Sequence, residues 1–245
     1  MTKHRTATRV IASGLLAALL ATWGLVGVEV VRNAPFVKAP GKPAVPHVVP
    51  SSNWSGYVVT GKALTEVHGT FTVPEIGQGG GALAEWVGVD GFADSDLIQA
   101  GASETPYGDY LWWEILPAPS VDIPWMRVSP GDEITVGVRR GTGHKWIVDI
   151  LDRATLQFFY QDFQYNGPLT SAEWVVEAPT SLYSGQEPAL PYQGAVQFSG
   201  LTMTGQAHRF ADVWLIQGGA VQSVPSTVPS MAALMADGFS TEYVG

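Results

Sequence analysis

The chain contains no cysteine, and this absence removes several kinds of chemistry at once. Without cysteine there can be no disulfide, no zinc–thiolate site and no thiol nucleophile. Charged residues are also scarce, at 14% of the 245 residues, which is not typical of a protein with many long surface helices. Stability is therefore expected to come from packing, and helix content is expected to be low.

Basic residues are outnumbered by acidic ones, with 13 Lys and Arg against 22 Asp and Glu, a net charge of −9 and a pI near 4.9. This balance disfavours nucleic acid or anionic lipid as a partner and suits an acidic environment. The five histidines are scattered, and none has the His-Glu-x-x-His spacing of a zinc site, so we expect no metal and no cofactor. The Gly-x-Ser-x-Gly motif and the paired Asp-Thr-Gly or Asp-Ser-Gly loops of other peptidases are missing too.

Glycine, proline and tryptophan are plentiful, at 28, 17 and 9 residues, which is typical of short strands joined by tight turns. The sequence predicts an all-β, antiparallel fold in one domain. Residues 230–235 are too short and too poorly capped to predict a helix. The predicted strands cover residues 53–59, 67–73, 84–89, 97–101, 110–116, 134–139, 146–151, 156–165, 172–177, 195–200, 213–217 and 239–244.

The first 32 residues have the layout of an export signal, with Lys3, Arg5 and Arg9 before an apolar run at 10–28. The run is also long enough to span a bilayer, and no clear Ala-x-Ala site follows, so an uncleaved membrane anchor is the alternative. Residues 33–50 contain five prolines and are predicted to be a linker or a short pro-segment. We expect a cut near or within residues 34–50, a folded domain at 51–245 and a secreted protein.

Strand periodicity sorts polar and aromatic side chains onto common faces. In the strand at 171–177, Glu173 and Glu177 share one face, and Trp174 lies on the other. The same rule groups Trp86 with Asp90, places Gln99 opposite Ile98, and groups Trp112 with Glu114. Tryptophans beside a few polar groups are typical of a ligand-binding groove, whereas the simpler interpretation is a set of amphipathic strands with one wet face.

Five segments carry a resemblance to a known family. They are Ser-Asn-Trp-Ser-Gly at 52–56, Trp-Val-Gly-Val-Asp-Gly at 86–91, Leu-Ile-Gln-Ala-Gly at 97–101, Trp-Trp-Glu-Ile-Leu-Pro at 112–117 and Ala-Glu-Trp-Val-Val-Glu at 172–177. In this order they resemble the glutamic peptidases, or eqolisins (peptidase family G1), of a prokaryotic type. The resemblance implies a lectin-like antiparallel β-sandwich of two bent sheets, whose concave face holds a catalytic Gln and Glu.

By motif position, the resemblance implies that Gln99 and Glu177 are the catalytic pair of an acid endopeptidase. Glu177 would act as the general base on water and later protonate the leaving amine, while Gln99 would hold the water and stabilise the oxyanion. Residues that match the family's groove would bind substrate: Trp86, Asp90, Trp112 and Glu114. Glu173 is expected to be flanking structure. The implied partner is a polypeptide substrate of a monomeric enzyme, with membrane contact only if the N-terminal segment stays uncleaved.

The chain also departs from the family pattern. It lacks the disulfides of fungal members, it has Ala102 and Ser103 where an acidic residue is usual, and it has Ile115 in place of an aromatic. The alternative function is carbohydrate chemistry, because lectin-like sandwiches also bind or hydrolyse sugars with tryptophans and carboxylates. Glu173 and Glu177 lie about 13 Å apart along a strand, too far for a glycosidase pair, but Glu114 with Glu177 leaves that alternative open.

Overall fold

The computed structural model describes residues 47–77, 81–180 and 187–245, so the predicted export signal and most of the predicted linker lie outside the described residues. The described elements are β1 (His47–Ser51), β2 (Trp54–Thr72), β3 (Leu83–Val89), β4 (Ile98–Thr105), β5 (Gly108–Ile115), β6 (Val121–Arg127), β7 (Glu133–Arg140), β8 (Lys145–Asp152), β9 (Phe158–Gln164), β10 (Ser171–Glu177), β11 (Val196–Gln217), β12 (Ala220–Pro225), α1 (Met231–Asp237) and β13 (Phe239–Tyr243).

Two long strands, β2 and β11, run through both layers of the sandwich. The first half of β2 pairs with β10, its second half pairs with β7, and β11 pairs with β2 in both regions. The first layer has the order β6-β5-β4-β3-β10-β2-β11, and the second has the order β9-β8-β7-β2-β11-β13. Strand β4 contacts β7 and β8 without hydrogen bonding to them, because the layers pack face to face. The predicted antiparallel β-sandwich is confirmed.

The bend between the layers lies where β2 and β11 cross from one layer to the other. Ala63 in β2 has φ 50° and Gly205 in β11 has φ 146°, and the register between the two strands shifts at Thr204. A Cβ on Gly205 would lie 2.6 Å from the Ala63 carbonyl oxygen and 2.6 Å from the Leu64 side chain. Glycine therefore lets the two backbones approach where the sheet folds over.

Alternating side chains divide between the core and the outer face of the first layer. Val87, Trp174 and Val176 belong to the main core with side chains of the second layer. The opposite face of the first layer carries a separate apolar cluster, and we call it the site face. Its buried members are Ala84, Trp86, Leu97, Trp112 and Val175. The predicted sorting of the strands by a period of two is confirmed for these residues.

The elements differ from the sequence prediction at several places. The predicted strands at 53–59 and 67–73 are one strand, β2, and β1, β6 and β12 were not predicted. Strand β1 begins at His47, inside the stretch that the sequence assigned to the linker. The prediction of no helix at 230–235 is wrong: α1 begins there, and the Ser230 hydroxyl accepts a hydrogen bond from the Ala233 N–H as its N-cap. Along the described part of the chain, no helix has the length and apolarity needed to cross a membrane.

Candidate active site

The site face is built on neighbouring strands whose register sets the position of each side chain. Val175 in β10 lies opposite Trp86 in β3, and Trp86 lies opposite Gly101 in β4. Glu177 lies two residues from Val175 toward one end of this central row. Gln99 lies two residues from Gly101 toward the other end, and Trp86 lies between the two polar positions. The sheet register therefore places Glu177 and Gln99 diagonally across the sheet, with Trp86 between them.

Glu177 is held by nitrogen donors on both of its carboxylate oxygens. Asn53 Nδ2 donates to Oε1 at 3.0 Å, and Trp86 Nε1 donates to Oε2 at 2.8 Å. The pKa of Glu177 is raised to about 7, because burial and the negative charge of Glu114 raise it by more than the hydrogen bonds from Trp86, Trp54 and Asn53 lower it. The result is a carboxyl group that is a stronger base than an ordinary glutamate and has a fixed orientation.

Gln99 is held by a carboxylate on the neighbouring strand. It lies opposite Glu114 in the register of β4 and β5, and its Nε2 donates to Glu114 Oε2 at 2.6 Å. Gln99 is only 4% exposed, and its Oε1 has no hydrogen-bond partner among the described residues. Burial raises the pKa of Glu114, and the hydrogen bond from Gln99 lowers it. One amide N–H of Gln99 is therefore committed to Glu114, and the second remains for another acceptor.

Trp86 has two glycines beside it, Gly88 and Gly101. A Cβ on Gly101 would lie 2.0 Å from the Glu85 carbonyl oxygen and 2.7 Å from Trp86 Cβ. A Cβ on Gly88 would lie 3.1 Å from Trp86 Cζ3. Trp54 packs edge-on against Trp86, with ring centroids 4.9 Å apart. The two glycines leave room for the indole that donates to Glu177.

Comparison with known proteins identifies the family. The model of the peptidase A4 family matches residues 52–225. This chain belongs to the peptidase A4 family. Aspergillopepsin-2 from Aspergillus niger is 31% identical over 159 residues, which are 52% of this chain and 56% of that protein, so the match spans little more than half of the relative.

Solved structures share the fold of this peptidase A4 chain. Scytalido-glutamic peptidase with a transition-state analogue inhibitor is 23% identical and has a TM-score of 0.67, covering 79% of this chain and 99% of that chain. SCP-B, an eqolisin in complex with the tripeptide Ala-Ile-His, is 20% identical with a TM-score of 0.65 and the same coverage of both chains. The recognition of a glutamic peptidase from the sequence motifs is confirmed.

The structure brings together five of the six predicted site residues of this peptidase A4 chain. Gln99 touches Glu114, Trp86 touches Glu177, and Trp112 packs in the same apolar cluster as Trp86. The charge of Glu114 also acts on Glu177 and raises its pKa, which connects the two ends of the site. Sequence periodicity sorts these side chains within each strand, and the family resemblance implied that the faces of the strands form one groove.

Asp90 is the predicted site residue that the structure places elsewhere. It is fully buried with φ 72°, because β3 ends at Val89 and the chain turns. Its carboxylate accepts the Tyr165 hydroxyl at 2.7 Å and the backbone N–H groups of Leu169 at 3.0 Å and Thr170 at 2.7 Å. Burial raises the pKa of Asp90, and these donors offset part of the effect. Asp90 thus ties the end of β3 to the segment before β10, and direct contact with substrate remains only a prediction.

Glu173 and Asn53 differ in their contacts with the proposed catalytic pair. Glu173 is fully buried, and burial raises its pKa well above the usual range, with no hydrogen bond to Gln99 or Glu177. Asn53 contacts Glu177 directly, although the sequence indicated only a strand start at this position. The single available signal was its place in the motif at 52–56. Within the described ranges, no three His, Asp or Glu side chains are arranged to hold a metal ion.

Proposed function

We propose that this protein is an endopeptidase that hydrolyses polypeptides by activating water between Gln99 and Glu177. The observation that carries the proposal is the geometry of Glu177, a carboxyl group with nitrogen donors on both oxygens and a pKa raised by burial to about 7. Gln99 lies on the same face two strands away and has an uncommitted amide N–H. Membership of the peptidase A4 family and the peptide bound to SCP-B support a polypeptide substrate.

The proposed reaction begins when the Glu177 carboxylate takes a proton from water. The resulting hydroxide attacks the carbon of the scissile carbonyl, and the electrons of the C=O bond move to its oxygen. The second N–H of Gln99 donates to this oxyanion, an interaction that contributes on the order of 3 kcal/mol to the transition state. Glu177 then returns the proton to the leaving nitrogen as the C–N bond breaks. Glu177 is thereby restored as a carboxylate.

The pH dependence follows from the two carboxyl groups at the site. The pKa of Glu114 lies above the usual 4.5, and that of Glu177 is about 7. Because the two groups interact, their protons are lost in two steps that belong to the pair, and the productive form carries one proton on Glu114 and leaves Glu177 as the base. We therefore expect a bell-shaped profile with its optimum on the acidic side of neutrality.

Three variants test the catalytic pair. Glu177→Gln keeps the shape but removes the base, and we expect kcat to fall about a thousandfold. Gln99→Ala removes the oxyanion donor and should lower kcat about a hundredfold. Glu173→Gln, on the same strand and face, is the matched control and should retain most activity. Casein hydrolysis at pH 5.5 measures the rates, and thermal melts check that each variant is folded. Near-normal activity in folded Glu177→Gln would refute the proposal.

We also propose that the protein is exported and cut within residues 34–50. The basis is the basic start and apolar run of the first 28 residues and the proline-rich stretch that follows. Expression of the full chain should yield a shortened protein in the medium, and N-terminal sequencing gives the position of the cut. Full-length protein in the membrane fraction would establish the anchor instead.

A further inference from the structure

We propose that Asn53 is a positioning residue that fixes the Glu177 carboxylate, and that strand β1 is required for catalysis because it holds Asn53 through Ser51. This inference rests on the proposed role of Glu177. Asn53 lies in the two-residue gap between β1 and β2. Its Nδ2 donates to Glu177 Oε1 at 3.0 Å, and its backbone carbonyl accepts the Ala178 N–H at 2.8 Å. Asn53 thus binds two consecutive residues at the end of β10.

Ser51 determines which end of the Asn53 amide faces Glu177. The Ser51 hydroxyl oxygen accepts the backbone N–H of Asn53 at 3.3 Å and that of Trp54 at 3.0 Å. The Ser51 hydroxyl also donates a hydrogen bond to Asn53 Oδ1 at 3.2 Å. The amide oxygen is therefore engaged by Ser51, and the NH₂ group points to the carboxylate. Without this contact, the amide could rotate and present its oxygen to Glu177, which would repel a carboxylate.

Strand β1 fixes Ser51 in turn. The five residues of β1 pair in parallel with β11, from His47 opposite Ala211 to Ser51 opposite Leu215. Ser51 is the last residue of this ladder, so its hydroxyl is held by a strand of the folded sheet and not by a loose end. A cut at residue 50 would remove the remaining pairs of the ladder and place a charged amine on Ser51. We therefore expect the active form to begin before His47.

The donor role of Asn53 predicts a specific effect on the pH profile. The charged group that acts on Glu177 is Glu114 from β5, since the other side chains that act on it, Trp54, Trp86 and Asn53, are neutral. Loss of an N–H donor raises the pKa of a carboxylate. The profile of kcat against pH should then move to higher pH when Asn53 is changed. KM should change little, because Asn53 acts on Glu177 and not on the substrate.

The experiment compares Asn53→Ala, Asn53→Asp, Ser51→Ala and the control Ser52→Ala in the full chain. Asn53→Ala should lower kcat ten- to a hundredfold at pH 5.5, with KM within about threefold and the pH profile moved upward. Asn53→Asp keeps the size but replaces the donor by a negative charge, so its pH profile should move further. Ser51→Ala should show a smaller shift in the same direction. Ser52 bonds to the exposed Glu187 instead, so its variant should match the wild type.

Several outcomes would overturn the inference. An unchanged pH profile in folded Asn53→Asp, or a loss of kcat that tracks a lower melting temperature alone, would show a structural role only. If Asn53→Ala fails to fold, Asn53→Asp and Ser51→Ala decide the question. An active form that begins at Ser51 would show that β1 is dispensable. If Glu177→Gln is inactive while the Asn53 variants are normal, this inference fails and the proposed function stands; if Glu177→Gln is active, the proposed function itself fails.

Discussion

Three glutamates differ in chemical role because different hydrogen-bond donors surround their carboxyl groups. Glu177 has nitrogen donors on both oxygens and Glu114 has one from Gln99, whereas the side chain whose hydrogen bond lowers the pKa of Glu173 is the Ser171 hydroxyl. Burial raises the pKa of all three, but only donors stabilise the charged form. Glu177 can therefore serve as a carboxylate base, whereas Glu173 stays a neutral acid and contributes to packing.

The pH profile should change in a defined way when Glu114 is replaced by Gln. The amide mimics the protonated acid, so the loss of activity on the alkaline side, which reports ionisation of Glu114, should disappear. The pKa of Glu177 should also fall, because the neighbouring negative charge that raises it is gone. We expect the bell to become a single rising limb whose midpoint lies below the pKa of about 7 that Glu177 has in the wild type. Rates of casein cleavage from pH 3 to 8 measure this.

The control for this prediction is Glu75→Gln, which removes an exposed acid and should leave the profile as it is. A Glu114→Gln profile that keeps its alkaline fall would show that another group limits activity there. In that case the proton shared between Glu114 and Glu177 would not be part of the reaction.

Most of the site was predictable from single residues, and two exceptions have clear causes. The period of two sorts the side chains within each strand, and the family resemblance adds that Trp86, Trp112 and Glu114 share a groove with Gln99 and Glu177. Asp90 escapes this rule because it lies one residue beyond β3 at positive φ. Asn53 lies outside any strand and contacts a carboxylate 124 residues away, so no local pattern indicates its role.

Among the elements, the length of β2 and β11 was the feature hardest to predict. Residues 61–66 include Gly61 and Lys62, and such residues are usual in turns, so the sequence indicated a break where the strand continues. In β11, Gly200 and Gly205 have positive φ, and glycines at these positions likewise indicated a break in the strand. Pairing between the two bent strands satisfies the backbone hydrogen bonds there, and this tertiary contact overrides local propensity.

The substitution Gly101→Ala adds one methyl group to β4 and tests how closely β3 and β4 pack beside Trp86. In Gly101→Ala, the new Cβ would lie 2.0 Å from the Glu85 carbonyl oxygen, so the strands must separate. We expect the free energy of unfolding to fall by about 3 kcal/mol or more, with loss of activity because Trp86 moves away from Glu177. Urea unfolding followed by tryptophan fluorescence measures this.

The matched substitution is Gly194→Ala, since a Cβ there has no atom within 4 Å. Its stability should stay within about 0.5 kcal/mol of the wild type or rise slightly. If both variants lose the same free energy of unfolding, the contact with the Glu85 carbonyl oxygen is not the cause of the destabilisation.

On the scale of the whole molecule, an unusual feature is a pair of acids inside the sandwich. Glu85 in β3 and Glu104 in β4 are 0% and 1% exposed and belong to the core side of their strands. Burial raises the pKa of Glu85 to about 8 and that of Glu104 well above its usual range, and the charge of Glu85 raises the latter further. The folded core therefore holds these groups as neutral acids.

This pair should make the fold more stable in acid than at neutral pH. In the unfolded chain both groups ionise near pH 4.5, whereas in the folded state the pKa of Glu85 is about 8 and that of Glu104 is well above its usual value. In that window the native state binds more protons than the unfolded state, so the free energy of unfolding falls as pH rises, by several kcal/mol. Urea unfolding at pH 4, 6 and 8 measures the fall. Glu104→Gln should reduce it.

An exposed acid provides the comparison: Glu75→Gln should leave the slope of stability against pH unchanged. If Glu104→Gln has the same slope as the wild type, other carboxyl groups cause the pH dependence.

The class of fold, all-β and antiparallel, followed from the composition. The insertion of β10 between β2 and β3 did not, because that pairing joins segments far apart in the chain.

The path of β2 through both layers also bears on self-digestion. A peptidase is itself a polypeptide of the kind that it cleaves, and a segment must leave its sheet before it can lie extended in the site of another copy. Strand β2 has hydrogen-bonded neighbours on both sides, β10 and β7 on one and β11 on the other. Freeing any part of it breaks the sheet on both sides, so the opening costs nearly as much as unfolding the whole molecule. Under the proposed function, the pairing of β2 therefore also protects copies of this protein from one another.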